Sequence, residues 1–285
     1  MYNTMIVGFD DSLSSKAAVI EAANLAKKHG STIILVHAVY FDTEEFGIAP
    51  EQHEKRLRIG EKVCVQSKDM VSAEFGVDVQ SLLCEGDPPD VILDVANGKK
   101  ADLIVLGTYG RRGLNRLLMG SVTSRVIADA PVDVLVVKKS CVECTGKYAS
   151  ILVPFDGSEF SKRALARACR IAHEDSSSVT ALYVIPRYEE MVDFFKTESI
   201  RASLMKEAEK IVGTAKDLAL LDGITLTTTI AEGNGPDRIT EEAGRHGHDL
   251  IVMGSHGYRG LNKAIIGSTT ERVILNASCP VLVVR

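Results

Sequence analysis

Apolar residues in this chain gather in short, nearly continuous runs instead of alternating with polar ones. In the first half the runs cover residues 5–9, 32–39, 77–83, 103–107 and 134–137. Strands that are apolar on both faces predict a parallel sheet covered on both sides. Between the runs, segments with helical spacing cover 14–29, 51–74, 89–99 and 121–129, the first preceded by Ser and Asp residues suited to cap it. The second half repeats the order, with strands at 150–155, 178–184, 224–230, 250–254 and 281–284 and helices at 161–173, 199–221, 237–245 and 268–276. Strand and helix alternating through short links predict an α/β fold: two tandem, doubly wound, Rossmann-like open parallel sheets of five strands each, with helices on both faces.

The repetition is also one of residue identity. Gly107, Gly110 and Gly120 fall on Gly254, Gly257 and Gly267, each pair 147 residues apart, and 11 of the 20 positions from 107 to 126 are identical in the second copy. Asp102-Leu103-Ile104-Val105 matches Asp249-Leu250-Ile251-Val252, Pro89 matches Pro236, and Asp10-Asp11-Ser12 matches Asp156-Gly157-Ser158 at an offset of 146. The predicted domains are therefore 1–139 and 149–285, joined by a polar linker at 140–148; a repeat of this length is a whole domain, not a solenoid unit. The last strand of each copy, 134–137 and 281–284, would leave an apolar edge. Pairing of the two edges within the chain is the expected remedy, and a homodimer of chains is a further expectation.

Composition narrows the partners. Lys and Arg number 33 against 38 Asp and Glu, giving a net charge of −5 and a pI near 5.8, without the basic footprint of a general nucleic-acid binder. No stretch approaches the roughly 18 consecutive apolar residues of a membrane span. Residues 1–10 have neither the basic region nor the cleavage site of a signal peptide, so a cytoplasmic location is expected. The six cysteines are scattered, which fits reduced thiols better than a disulfide framework.

The sharpest chemical feature is Gly107-Thr108-Tyr109-Gly110, nine residues, then Gly120-Ser121, repeated as Gly254-Ser255-His256-Gly257, nine residues, then Gly267-Ser268. Each copy starts at the carboxyl end of a predicted strand and finishes at the start of a helix, where open α/β sheets place ligands. Glycine lets a ligand approach the backbone, and Gly-Ser opening a helix offers unpaired N–H groups, a hydroxyl and a positive dipole end to phosphate oxygens. Tight turns and close helix packing are the other use for such glycines. Asp10 and Asp156 end the first strand of each copy. A carboxylate there suits ribose hydroxyls or a base, and it also suits helix capping.

On these residues both halves resemble the universal stress protein family in its tandem form, over nearly the whole chain. The family's ATP-binding branch carries Gly-x2-Gly-x9-Gly-Ser/Thr, present here twice. The resemblance implies binding of ATP, or of AMP or ADP, with Mg or Mn as the ion bridging the phosphates. It implies that Asp10 and Asp156 lie near ribose and base, and that Ala38 and Val184 face adenine through their backbone. Gly107, Gly110, Gly120, Ser121, Val122 and Thr123 would hold ribose and phosphates, as would Gly254, Gly257, Gly267, Ser268, Thr269 and Thr270. A stress-response sensor or regulator working through nucleotide occupancy is the function implied. The first copy departs from the family in having Gly8 where the second has Pro154 before the Phe-Asp pair, and Ala130-Pro131-Val132-Asp133 where the second has Ser278-Cys279-Pro280.

Other signals compete less well. Cys141 and Cys144 have the spacing of half a zinc site or a redox pair, but no second such pair exists. His246 and His248 read as a surface helix end. Arg111, Arg112, Arg116, Arg259 and Lys263 either steer anions or form a solvated face. No GxxxxGK[ST] pattern is present, and no His or Glu recurs at the crevice to activate water. A binding or sensing module is expected ahead of an enzyme; slow ATP hydrolysis, self-phosphorylation and a ligand-free interaction scaffold are the alternatives.

Overall fold

The computed structural model describes residues 2–41, 43–109, 119–138, 146–186, 198–257 and 267–285. The chain divides into two compact units, Met1–Lys147 and Tyr148–Arg285. The first contains β1 (Thr4–Gly8), α1 (Leu13–His29), β2 (Thr32–Val39), α2 (Thr43–Ile48), α3 (Pro50–Phe75), β3 (Val79–Glu85), α4 (Pro88–Gly98), β4 (Leu103–Gly107), α5 (Ser121–Asp129) and β5 (Asp133–Val137). The second contains β6 (Ser150–Pro154), α6 (Glu159–Asp175), β7 (Ser178–Pro186), α7 (Glu198–Leu221), β8 (Thr227–Gly233), α8 (Gly235–Arg245), β9 (Leu250–Gly254), α9 (Ser268–Asn276) and β10 (Val281–Val284).

Within the first unit the strands lie in the order β3-β2-β1-β4-β5, and within the second in the order β8-β7-β6-β9-β10. The pairs β1 with β2 and β1 with β4 are parallel, as are β6 with β7 and β6 with β9. Chain progress from β1 runs outward through β2 to β3, then returns to β4 on the other side. Helices α1 and α3 pack together, and so do α4 and α5; α6 with α7 and α8 with α9 repeat this. Right-handed crossovers thereby place one helix pair on each face of the sheet. The order reverses between β1 and β4, and between β6 and β9, which is where a doubly wound sheet opens a crevice beyond its strand ends.

The central strands match the apolar runs, because Met5–Val7, Leu103–Val105, Ile151–Val153 and Leu250–Val252 are buried on both faces. The outer strands differ. β3 and β8 begin two or three residues later than the apolar pattern indicates and run on to Glu85 and Gly233, because backbone pairing with β2 and β7 continues through Val39 opposite Glu85 and Pro186 opposite Gly233. Both are half-exposed strands, not strands covered on both sides. Helix α2 has no counterpart in the apolar pattern, being too short for its periodicity to register.

The repeated Asp-Leu-Ile-Val has a structural reason. The Asp102 carboxylate accepts from Asn3 N at 2.8 Å and Thr4 N at 3.0 Å, fixing the start of β1. Asp249 does the same for Ala149 N at 2.7 Å and Ser150 N at 2.9 Å before β6. The change from Asp11 to Gly157 is likewise explained: both are left-handed, with φ of 63° and 81°, a conformation that Asp tolerates and Gly adopts freely.

Candidate functional site

In the first unit a crevice of about 940 Å³ opens at the carboxyl ends of β1, β2 and β4. Asp10, Ala38, Gly107, Gly120, Ser121, Val122 and Thr123 all line it, so residues scattered from 10 to 123 in sequence meet at one place. Gly110 lies outside the described residues, as do Arg111, Arg112, Arg116, Cys141, Cys144, Arg259 and Lys263.

The helices reaching this end of the sheet are capped in two different ways. In α1 the Ser12 hydroxyl accepts from Ser15 N at 3.2 Å, and in α6 the Ser158 hydroxyl accepts from Ser161 N at 3.2 Å. Helices α5 and α9 start from Gly120 and Gly267, which have no side chain to cap with. A helix leaves its first N–H groups without intrahelical partners, and these two present them at the crevice end of the sheet with the positive end of the helix dipole. The glycine N–H groups are themselves tied back: Gly120 N donates to Thr108 O at 3.0 Å and Gly267 N to Ser255 O at 3.2 Å. Ser121, Ser268 and Thr269 are exposed in the first turn.

The Thr123 and Thr270 side chains tie each helix to the strand before it. Both are buried, with the Thr123 hydroxyl donating to Gly107 O at 2.8 Å and the Thr270 hydroxyl to Gly254 O at 3.1 Å. These hydroxyls bind each helix start to the end of its strand, leaving the first-turn backbone as the donor surface. Gly107 and Gly254 are packing glycines in the same sense. A Cβ on Gly107 would stand 2.6 Å from the backbone carbon of Ser14, and one on Gly254 would stand 2.6 Å from Phe160 Cβ and 2.9 Å from its backbone carbon.

Asp10 lines the crevice at the end of β1, and Asp156 holds the equivalent place at the end of β6. Asp10 Oδ1 accepts from Ser12 N at 3.0 Å and Asp156 Oδ1 from Ser158 N at 3.0 Å, so each closes the turn ahead of its helix. Asp156 also reaches the glycine motif: a Cβ on Gly257 would lie 2.9 Å from its Oδ2. In the first unit the link is made by Ser12, whose hydroxyl donates to Tyr109 O at 3.3 Å. β2 forms another wall of the crevice, and β7 holds the equivalent place in the second unit. His37 is buried with Nδ1 2.7 Å from Phe9 O, and Ala38 and Val184 occupy equivalent places one residue further along their strands.

Sequence reading missed several lining residues. Arg56 and Ile59 reach the first crevice from α3, Tyr40 from the end of β2 and Arg125 from α5. Arg125 is bound to Asp87 at 2.5 Å and Asp90 at 2.6 Å. Its identity with Arg272, which pairs with Asp237 at 3.2 Å, was a signal available in the repeat. Arg56 and Ile59 left none, since the second copy has no such residues at the equivalent helical positions.

His256 is buried, hydrogen-bonded through Nδ1 to the Ser255 hydroxyl at 3.0 Å, with its ring 5.3 Å from that of Phe160. The reading of His246 and His248 as one surface helix end is corrected. His246 is exposed, whereas His248 is buried before β9 with Nδ1 2.8 Å from the Ser150 hydroxyl and a buried Nε2 that has no partner among the described residues. Burial holds its pKa below the ordinary histidine value, outweighing the neighbouring carboxylates. The unfolded chain therefore takes up a proton near pH 6.5 that the folded chain refuses, and stability falls as pH drops through that value. Urea midpoints measured from pH 7.5 to 5.5 are expected to fall more steeply for the wild type than for His248→Gln; equal slopes would refute the assignment.

The described cysteines, Cys64, Cys84, Cys169 and Cys279, are free thiols. Burial raises Cys64 and Cys84 and pushes Cys169 up to about 11, which makes all three poor nucleophiles.

Known proteins align with both units. The family model described as the universal stress protein family matches residues 1–138 and again 147–285. A universal stress protein of Methanocaldococcus jannaschii is 37% identical over 140 residues, covering 48% of this chain and 82% of the relative. One from Mycobacterium tuberculosis is 26% identical over 293 residues, covering 99% of this chain and 96% of that protein. Among solved structures, a universal stress protein from Archaeoglobus fulgidus superposes with a TM-score of 0.74 at 23% identity, over 99% of this chain and 96% of its own, which shows the shared fold.

Proposed function

The chain belongs to the universal stress protein family, and from that premise we propose that each unit binds an adenine nucleotide, ATP foremost and AMP or ADP as alternatives, and that occupancy is the signal the protein delivers in a stress response. The observation that carries this reading is the uncapped glycine start of α5 and α9 at the switch point of each sheet. A side chain on Gly120 or Gly267 would fill the cradle that phosphate oxygens take, while the first-turn amides of Ser121, Val122 and Thr123, and of Ser268, Thr269 and Thr270, donate to them. Asp10 and Asp156 would accept hydrogen bonds from ribose hydroxyls. Ala38 and Val184 offer backbone groups to the base.

Among the described residues no group of three or more His, Cys, Asp or Glu is placed to hold a metal ion. A Mg or Mn ion would enter with the nucleotide and supply charge neutralisation to its phosphates. The residues present support binding more than catalysis: Asp10 and Asp156 each give one carboxylate oxygen to turn closure, and the one buried histidine in the glycine motif, His256, is replaced by Tyr109 in the other copy.

A ligand that binds only the folded state stabilises it by mass action, by about 2.7 kcal/mol at a hundredfold excess over Kd. Millimolar ATP is therefore expected to raise the melting temperature by several degrees, and GTP or inorganic phosphate by less. An unchanged melting curve across millimolar ATP, ADP and AMP would favour a scaffold with unused crevices.

A further inference from the structure

The two units differ in charge on the helix that walls the crevice in the first. Helices α3 and α7 dock through the same pattern of small or apolar buried residues, Gly60, Cys64, Ser67 and Val71 in one and Ala208, Val212, Ala215 and Ala219 in the other. At Gly60 the approach is close: a Cβ there would meet Leu83 at 2.6 Å and His37 at 3.1 Å. Residues one and four positions before this contact therefore face the crevice. In the first unit they are Ile59 and Arg56, and both line it. The positions equivalent to these on α7 are Glu207 and Leu204.

Neighbouring groups agree with this placement. Tyr183 follows Leu182 on β7 as His37 follows Val36 on β2, and His37 lines the first crevice. Burial raises the Tyr183 phenol above its ordinary value, and the Glu207 carboxylate and then that of Asp156 raise it further. Tyr183, on the strand end equivalent to His37, thus lies within electrostatic reach of both Glu207 and Asp156. Among the described residues, the charged ones lining the first are Asp10, Arg56, Asp87 and Arg125, which balance. At the equivalent described positions the second unit has Asp156, Leu204, Asn234 and Arg272, and Glu207 adds one negative charge to that set.

We propose that Glu207 sets the ligand charge the second unit accepts, so that this crevice prefers a nucleotide with fewer phosphates than the first, where Arg56 favours more. The inference rests on the nucleotide reading above. A wall charge acts on every phosphate charge at once, so its effect on binding grows with the charge of the ligand. Coulomb energies in water over about 10 Å, reduced by screening, make one unit of wall charge worth about fivefold in Kd for ATP and about twofold for AMP.

The test uses full-length chains with one crevice blocked, Gly120→Val to isolate the second unit and Gly267→Val to isolate the first, titrated by calorimetry with ATP and with AMP in EDTA, so that ATP carries its full charge without a divalent ion. In the Gly120→Val chain, Glu207→Gln is expected to tighten ATP about fivefold and AMP about twofold, and Glu207→Arg to tighten ATP about 25-fold. Arg56→Glu in the Gly267→Val chain should weaken ATP by a comparable factor. All of these effects should shrink as salt is raised. Measurable ATP binding that Glu207→Gln leaves unchanged, or that changes equally for ATP and AMP, overturns the proposal while leaving the nucleotide reading intact. Absence of binding in both single-crevice chains and in the wild type overturns both.

Discussion

A Gly107→Ala chain is expected to lose about 3 kcal/mol from its first unit, seen as a melting transition lowered by roughly 10 °C for a domain of this size. The added methyl would stand 2.6 Å from the Ser14 backbone carbon and 2.8 Å from its oxygen, and neither can swing aside as a flexible side chain would. The strand end and the first turn of α1 would have to separate, and the Thr123 hydroxyl that binds Gly107 O at 2.8 Å would be drawn off with it. Gly254→Ala should act likewise in the second unit, against Phe160. Differential scanning calorimetry decides the matter. A Gly107→Ala protein melting within 2 °C of the wild type would show that the contact relaxes cheaply.

The opposite result is expected of the other glycine in the same motif. Gly120 and Gly267 have φ near −60° and ψ near 135°, backbone that any residue adopts. The nearest atom to a Cβ on Gly267 is Ser255 O at 3.3 Å, a contact that a shift of tenths of an ångström relieves. The double variant Gly120→Val, Gly267→Val should therefore fold, with a cost of about 1 kcal/mol per helix start. Its branched side chains would stand where phosphate oxygens meet the first-turn amides. Losing two charge-assisted hydrogen bonds, each worth about 1.5–3 kcal/mol, amounts to at least a hundredfold in ATP affinity. Calorimetric titration of ATP into the folded double variant measures this, and wild-type affinity there would remove the phosphate role of both glycines.

These two outcomes mark where sequence reading stops. The central strands and their switch point were legible because Ile6, Val105, Leu152 and Val252 lie in runs that only a doubly covered parallel strand requires. The motif itself was legible because it occurs twice. Its division of labour was not, since Gly107 and Gly120 are the same letter and differ only in what stands opposite them in three dimensions. The outer strands β3 and β8 were misplaced by two or three residues because Glu85 and Gly233 pair through backbone alone, which side-chain pattern does not record. His248 was misjudged for a related reason: its place beside Ser150 is made by β6, about a hundred residues away in sequence. The charge on the helix walls was hidden because Arg56 and Glu207, read along their helices, look like any solvated face.

The most direct test of the account is the number of ATP molecules held per chain at saturation, measured by equilibrium dialysis of the purified full-length protein with labelled ATP. Two crevices predict two saturable sites in the wild type, one in each single-valine variant and none in the double variant. No saturable binding to the wild type, or the same number of sites in the double variant, would contradict the claim that these crevices are where the protein meets its nucleotide.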